Sequence, residues 1–492
     1  MTDKTVRTRF APSPTGMMHI GNLRSALYEY LVAKSQGGDF VLRIEDTDRE
    51  RYVEGAVDVI YDTLESAGLK HDEGPDIGGD YGPYIQSERL DHYLPYAEKL
   101  IEEGHAYYCF CDRERLQKLH EQDGDSATGN MGYDRHCRNL SADEVKANLE
   151  AGKPYVIRQK MPLEGETVFE DAVFGRISVE NKELEDQILI KSDGYPTYNF
   201  ANVIDDHEMR ITHVVRGSEY LSSTPKYNLL YEAFGWEIPT YVHLPLILGT
   251  DGQKLSKRHG ATGYSELVEA GYLPEAIINY IAFLGWAPGK DTREVFTLDE
   301  LTEVFKIKGI NKAPAVFDYE KLRWYNEQYI RALSPEAFRE WVEPVLKDVL
   351  DEPIDWPLVT EILQGRMSVR GDAAKLLDFV EEADPYTLDL FKHKRSKLTP
   401  EICLRVLRRE IDELEQLEDY NREAIHELLM GLGPDMELKT GQVMGPVRIA
   451  LSGRQVTPGG SIELLSLLGK EKSLERLNAA ADFLEAEIAA AE

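Results

Sequence analysis

A chain of 492 residues is too long to bury itself around one hydrophobic core, so several domains are expected. Hydrophobic residues at 42% and charged residues at 29% are ordinary for a globular protein in water, and no early run is apolar enough for a signal peptide or a membrane span. The formal net charge of -32 excludes a protein that coats nucleic acid through a uniformly basic surface, while leaving room for a local basic face such as Lys392–Lys397. A cytoplasmic location without membrane attachment is the expectation.

In chain order, Val6–Phe10 reads as a buried strand that Pro12, Pro14 and Gly16 bring to a stop. A helix follows from Gly21, because Leu23, Ala26, Leu27, Tyr30 and Leu31 share one face. This strand, loop and helix start deliver His19 and Gly21 to a helix N-terminus, where unpaired N–H groups and the positive dipole end suit a phosphate. A plain Pro/Gly connector has the same local pattern, so other segments must decide. Residues 39–48 form a second strand with a carboxylate-rich end, placing Glu45 where open α/β sheets bind ligands, unless that end is a solvated turn. An amphipathic helix over 58–68 and a Gly-rich loop over 74–82 complete a parallel-sheet, nucleotide-binding half.

The texture changes near Ser87, where a helical pattern through Glu103 leads into Cys109 and Cys111. Thiols two residues apart do not close an unstrained disulfide, but both can turn to one ion, with Cys137 as a third ligand and Tyr133 or His136 as a fourth. Zinc is one reading; a set of buried free cysteines is the other. The polar stretch 121–132 is expected to be a mobile loop, and short β-rich runs at 155–158, 167–169, 175–179 and 187–190 suggest a domain inserted into the first fold.

The β/α pattern resumes at Ile188, with further strands over 214–220 and 241–248. The loop that follows gathers Lys254, Lys257 and Arg258, which suits charge neutralisation at a triphosphate that loses pyrophosphate. Beyond about residue 265 the pattern is almost wholly helical and reads as helix bundles.

These segments together resemble a class I aminoacyl-tRNA synthetase, in particular the bacterial-type glutamyl enzymes, over essentially the whole chain. His19-Ile20-Gly21-Asn22 resembles the HIGH motif, with Asn22 in place of its final His, and Lys254-Leu255-Ser256-Lys257-Arg258 resembles KMSKS. Glutaminyl relatives typically open on Pro-Pro-Glu-Pro-Asn-Gly, unlike Ala11-Pro12-Ser13-Pro14-Thr15-Gly16 here. The resemblance implies an α/β Rossmann-type catalytic domain (1–86 and 188–265) and an inserted α+β, acceptor-stem domain (87–187). It also implies a helical connecting domain (266–325) and an all-α, helical-bundle anticodon-binding domain (326–492). Implied substrates are L-glutamate, ATP with Mg²⁺, and tRNA(Glu), handled by a monomer. His19, Lys254, Lys257 and Arg258 would be catalytic; Gly16, His19, Gly21, Glu219, Lys254, Ser256 and Lys257 would hold ATP. Arg9, Ala11, Ser13, Glu45, Tyr198, Asn202 and Arg216 would form the glutamate pocket, with Glu45 on the α-ammonium and the two arginines on the side-chain carboxylate. Cys109, Cys111, Tyr133 and Cys137 resemble the zinc ligands of some relatives, and Arg366, in the anticodon-reading part, falls near the position where family members that charge only glutamate tRNA carry Arg.

Overall fold

Four parallel strands bring their carboxyl ends to one edge and so create the place where a site can form. β1 (Arg7–Phe10) pairs in parallel with β2 (Asp39–Leu42), from Arg7 opposite Asp39 to Phe10 opposite Leu42. β8 (His213–Gly217) pairs in parallel with β9 (Thr240–Leu244), and the Thr212 N–H donates to the Arg7 carbonyl at 3.0 Å, setting β8 beside β1. The crossovers are helical: α1 (Ile20–Lys34) and α2 (Ala56–Ser66) in the first half, α6 (Tyr198–Glu208) and α7 (Thr224–Phe234) in the second. The computed structural model describes residues 5–48, 51–122, 133–347, 349–350 and 353–491.

The second strand is shorter than the 39–48 expected. Beyond Leu42 the chain stays extended without a regular ladder, its N–H groups donating singly: Arg43 to the Phe10 carbonyl, Ile44 to Tyr84 and Glu45 to Pro12. Between α3 (Leu90–Glu102) and α6, β3 (Ala106–Cys109), β4 (Val156–Gln159) and β7 (Ile188–Ile190) form a three-stranded sheet, alongside α4 (Arg113–Gln122) and α5 (Ala142–Glu150). The hairpin of β5 (Glu166–Asp171) and β6 (Gly175–Glu180) departs from the expectation of one continuous insert. Asp171 pairs with Tyr241 of β9, because alternate residues Thr167, Phe169 and Asp171 are buried, and the hairpin extends the β8–β9 sheet. The polar stretch expected to be a loop over 121–132 lies, beyond Gln122, outside the described residues.

The chain divides into two units, one of residues up to Val268 with Ile277–Tyr319, the other of Glu269–Ala276 with the residues from Glu320 onward. In the first, β10 (Ile247–Leu248) pairs in parallel with β11 (Ala315–Val316); most of α8 (Tyr264–Glu269) and α9 (Pro274–Ala282) and all of α10 (Leu298–Val304) also belong to it. The second is helical: α11 (Tyr319–Ala332), α12 (Pro335–Leu346), α13 (Trp356–Leu363), α14 (Asp372–Leu377), α15 (Pro400–Gln416), α16 (Arg422–Asp435), α17 (Thr440–Ser452) and α18 (Ser461–Ala491), the last broken at Gly469. Its core runs continuously from Phe338 and Leu363 through Leu407 and Val447 to Leu484.

Candidate active site

Charged residues occupy the buried heart of the first unit, and they are tolerated there because each has a partner. Arg9, at the end of β1, donates from Nε to Asp206 Oδ1 at 3.0 Å, while its Nη1 lies 3.5 Å from Glu29 Oε1. Arg43 donates to the same Asp206 oxygen at 2.8 Å and from Nη2 to Glu45 Oε1 at 2.9 Å. Burial would raise the Asp206 carboxyl, but Arg9 and Arg43 outweigh it and hold the group below its ordinary value. For Glu45 the balance reverses: burial pushes the carboxyl up, and Arg43 and Arg9 only partly restore it.

Four buried polar atoms around this lattice have no hydrogen-bond partner among the described residues: Glu29 Oε2, Glu45 Oε2, Asn202 Nδ2 and the Tyr241 hydroxyl. Buried polar groups are rarely left so, and several together mark a place for a polar ligand. Arg216, at the end of β8, looks onto the same place, its guanidinium carbon 4.6 Å from the Tyr227 ring, 5.3 Å from Tyr220 and 5.4 Å from Tyr241. Tyr198 completes the wall; burial, then the Glu45 carboxylate, holds its hydroxyl protonated, and its ring lies 5.7 Å from that of Tyr220. Pro12 accepts the Glu45 N–H at 3.0 Å, which sets its neighbours Ala11 and Ser13 against the same strand end. The seven residues expected to hold an amino acid therefore lie in one neighbourhood.

The second strip of the site is where α1 begins. His19 is its N-cap, and its Nδ1 accepts the Gly21 N–H at 3.1 Å. The Ile20 N–H goes to the Thr262 carbonyl at 2.9 Å, and the Asn22 and Leu23 N–H groups go to the His19 carbonyl. The expectation of unpaired N–H groups at this helix start is thus corrected: the His19 ring and carbonyl and the Thr262 carbonyl already take them, and what this helix start offers an anion is its dipole. Gly16 sits at φ +114°, a conformation open to glycine, and carries the chain into this cap.

The lysine loop is tied to the same strip. Tyr264 N–H donates to the Met18 carbonyl at 3.0 Å, and Leu255 N–H to Ile247 at 3.0 Å, so both ends of the loop are anchored. His259 clips its interior, accepting the Ser256 N–H at Nδ1 (3.1 Å) and reaching Asp251 Oδ1 from Nε2 (3.0 Å). Lys254 and Arg258 are exposed, Arg258 lying 3.3 Å from Asp251. Glu219, also exposed, follows β8 and folds over Gly217, where a Cβ would come within 2.1 Å of its carboxylate oxygen.

Away from this edge, Cys109, Cys111 and Cys137 place their sulphur atoms within 4.8 Å of one another. The Tyr133 hydroxyl lies 3.2 Å from Cys109 Sγ and 3.5 Å from Cys111 Sγ, whereas His136 is exposed and outside the group. Tetrahedral zinc with bonds of about 2.3 Å sets its thiolates about 3.8 Å apart, so this donor set fits that ion. Arg366 belongs to the other unit, where its Nη1 donates to the Ile362 carbonyl at 2.9 Å.

Reading the sequence alone missed Arg43, Asp206, Tyr241, His243 and Asp171. The signal was present for the first two: an Arg inside a buried strand and adjacent Asp205 and Asp206 inside a helix are costly unless they pair. The others needed the strand register.

A parallel sheet with a cluster of buried charged and polar side chains at its carboxyl edge, flanked by a His-capped helix and an anchored lysine loop, is the arrangement of a class I aminoacyl-tRNA synthetase. Residues 5–324 match the family described as tRNA synthetases class I (E and Q), catalytic domain, and residues 319–481 match an anticodon binding domain. The chain is 53% identical over 486 residues to a glutamate–tRNA ligase of Clostridium botulinum (strain Eklund 17B / Type B), covering 98% of this chain and 100% of that one. It is 52% identical over 488 residues to the glutamate–tRNA ligase of Clostridium tetani, covering 99% and 100%. Among solved structures, a glutamate–tRNA ligase from Elizabethkingia meningosepticum, crystallised with its amino acid, superposes with a TM-score of 0.88 at 39% identity, covering 98% of this chain and 100% of that one. The chain belongs to the glutamate–tRNA ligase family.

Proposed function

We infer that this chain activates L-glutamate with ATP and passes the glutamyl group to the 3′ end of tRNA(Glu), releasing AMP and diphosphate. The observation that carries the reading is the cluster in which two buried arginines, Arg9 and Arg216, stand with Glu45 Oε2 and Asn202 Nδ2, buried and without a hydrogen-bond partner among the described residues. A ligand with one ammonium and an anionic side chain meets that set of charges.

Glu45 takes the α-ammonium, the arginines take the side-chain carboxylate, and Tyr198, Asn202, Ala11 and Ser13 shape the rest. The α-carboxylate then attacks the α-phosphorus of ATP in line with departing diphosphate. The protein supplies position and charge more than covalent chemistry. His19 with Gly16 and Gly21 meets the phosphates and Glu219 the adenosine; Lys254, Ser256, Lys257 and Arg258 neutralise charge as the diphosphate leaves. Mg²⁺ accompanies ATP through its phosphates. No helix among the described residues is long and apolar enough to cross a membrane.

The division into catalytic, acceptor-stem, connecting and anticodon-reading parts follows the same reading. Cys109, Cys111, Tyr133 and Cys137 would hold zinc, whose chemistry there is structural: it would cross-link β3 to the 133–137 turn. Arg366 would contact the anticodon. Charging of tRNA(Glu) and tRNA(Gln) transcripts with labelled glutamate tests the whole reading: glutamate attached to tRNA(Glu) is the expected result, and no charging of either tRNA would overturn it. An Arg366→Ala variant that charges the two tRNAs in the same ratio as the wild-type chain would remove the role given to that arginine.

A further inference from the structure

The strand register places three polar side chains in a line behind the pocket. Arg216 of β8 and His243 of β9 are direct partners across a parallel ladder, and Asp171 at the end of β5 pairs beside Tyr241 of β9. A slip of one residue would turn either side chain to the opposite face. All three are buried, His243 completely. His243 Nδ1 lies 2.7 Å from Asp171 Oδ2, and Arg216 Nε donates to His243 Nε2 at 3.1 Å.

The chemistry of this line has one consistent protonation. Asp171 Oδ1 accepts the Val173 and Phe174 N–H groups at 2.9 and 2.7 Å, and His243 together with these N–H groups holds the carboxyl ionised against its burial. An ionised carboxylate only accepts, so His243 Nδ1 carries the proton. Nε2 of the neutral ring is then a lone pair, as the Arg216 Nε–H requires. Arg216 Nη2 is fixed separately, donating to Thr224 Oγ1 at 2.9 Å, and Thr224 in turn donates to the Tyr220 carbonyl. Among the described residues Nη1 makes no hydrogen bond, and the guanidinium is bounded by tyrosine rings.

We propose that Asp171 and His243 are positioning residues for Arg216: by fixing its Nε edge they aim Nη1 at the substrate's side chain and so favour a carboxylate over a carboxamide. This rests on the reading that Arg216 meets the glutamate side chain. A rigid donor edge welcomes two acceptor oxygens and meets a carboxamide NH₂ donor to donor. A guanidinium free to swing loses that distinction, and reacting groups misplaced by an ångström lose rate steeply.

The test is aminoacylation of tRNA(Glu) by the full chain at saturating ATP and tRNA, with glutamate varied and glutamine as competitor. His243→Ala and Asp171→Asn should raise KM for glutamate about tenfold or more, with a smaller change in kcat and no change in KM for ATP. The glutamate-to-glutamine ratio of kcat/KM should fall in step. Asn at 171 can donate to Nδ1, forcing the proton onto Nε2 against the Arg216 N–H. His243→Gln, which carries an acceptor oxygen near the place of Nε2, should recover part of the loss. Wild-type KM and selectivity in all three variants would overturn the proposal, as would equal rises in KM for glutamate and ATP. If Asp171→Asn or His243→Ala fails to fold, His243→Gln against Thr224→Val decides on the same readouts: both unchanged overturns it. Arg216→Ala separates the two levels: an unchanged KM for glutamate sinks the pocket reading itself, while a raised KM beside unaffected 171 and 243 variants sinks only the relay.

Discussion

Arg43 Nη2 grips one oxygen of Glu45 at 2.9 Å, while the other oxygen of that carboxylate is buried with no partner among the described residues. The arginine fixes where the open lone pairs point. A buried carboxylate half-satisfied in this way is costly in the empty protein and favourable once an ammonium arrives, which is how a pocket is kept ready for one charged group.

Glu45→Gln should therefore raise KM for glutamate by about tenfold to a hundredfold, about 1.4–2.8 kcal/mol, while KM for ATP stays near its wild-type value. Steady-state charging kinetics read this directly. The pH dependence has a definite sign. Burial holds the Glu45 carboxyl above its ordinary value despite Arg43, and only its ionised form attracts an ammonium. As pH falls, kcat/KM for glutamate should drop at a higher pH than an ordinary carboxylate would give, and Glu45→Gln should lose that acid limb. Identical limbs in the two proteins would rule out Glu45 as the ammonium partner.

Lys257→Ala should lower the charging rate by about a hundredfold or more with the unfolding midpoint unchanged. Removing a cation that meets developing charge affects the transition state far more than the fold. Its loop is held by other groups, the Leu255 N–H to Ile247 and the His259 clip to Ser256 and Asp251. Near-normal turnover would take the transition-state role away from that lysine.

Purified protein should carry about one zinc per chain, read by elemental analysis, and its thiols at 109, 111 and 137 should resist titration until a chelator is added. Cys111→Ser should lose the metal. Tyr133→Phe bears on the fourth ligand: with a hydroxyl 3.2 Å from Cys109 Sγ in the wild-type chain, zinc affinity should drop, whereas His136→Ala should leave it unchanged. Metal-free protein with freely titrating thiols would return these cysteines to the role of buried apolar residues.

How much of this was legible in the sequence depended on whether the cause was local. The turn at Pro12, Pro14 and Gly16, the helix from residue 20 and the lysine loop announce themselves, because backbone-limiting residues and a 3.6-residue period act over a few positions. The membership of the β5–β6 hairpin in the β8–β9 sheet was not legible, since it depends on one long-range pairing of Asp171 with Tyr241. The same holds for the pocket's second layer. Nothing near His243 in sequence says that it faces Arg216, and nothing near His19 says that Thr262 will take the Ile20 N–H. Residues that touch a substrate sit in motifs; those that aim them are brought in by register.

The helical unit can be tested without any substrate. Glu410 on α15 is fully buried among Val406, Leu407, Ile411 and Leu414, and among the described residues neither carboxylate oxygen has a partner. Burial alone drives its carboxyl well above the ordinary value, so the folded chain keeps the proton that the unfolded chain releases. The sign follows: the group costs least below the ordinary carboxylate pKa, and stability is lost as pH rises from there toward the folded value. Glu410→Met keeps the volume and removes the unsatisfied group, so it should stabilise this unit by about 1–3 kcal/mol at pH 7 and by less at pH 4. Hydrogen exchange across residues 400–416 during denaturant unfolding isolates that unit's transition. A gain that is the same at both pH values would mean that Glu410 titrates alike in the folded and unfolded chain and that only its packing matters; a loss of stability would mean that the carboxyl has a partner in solution.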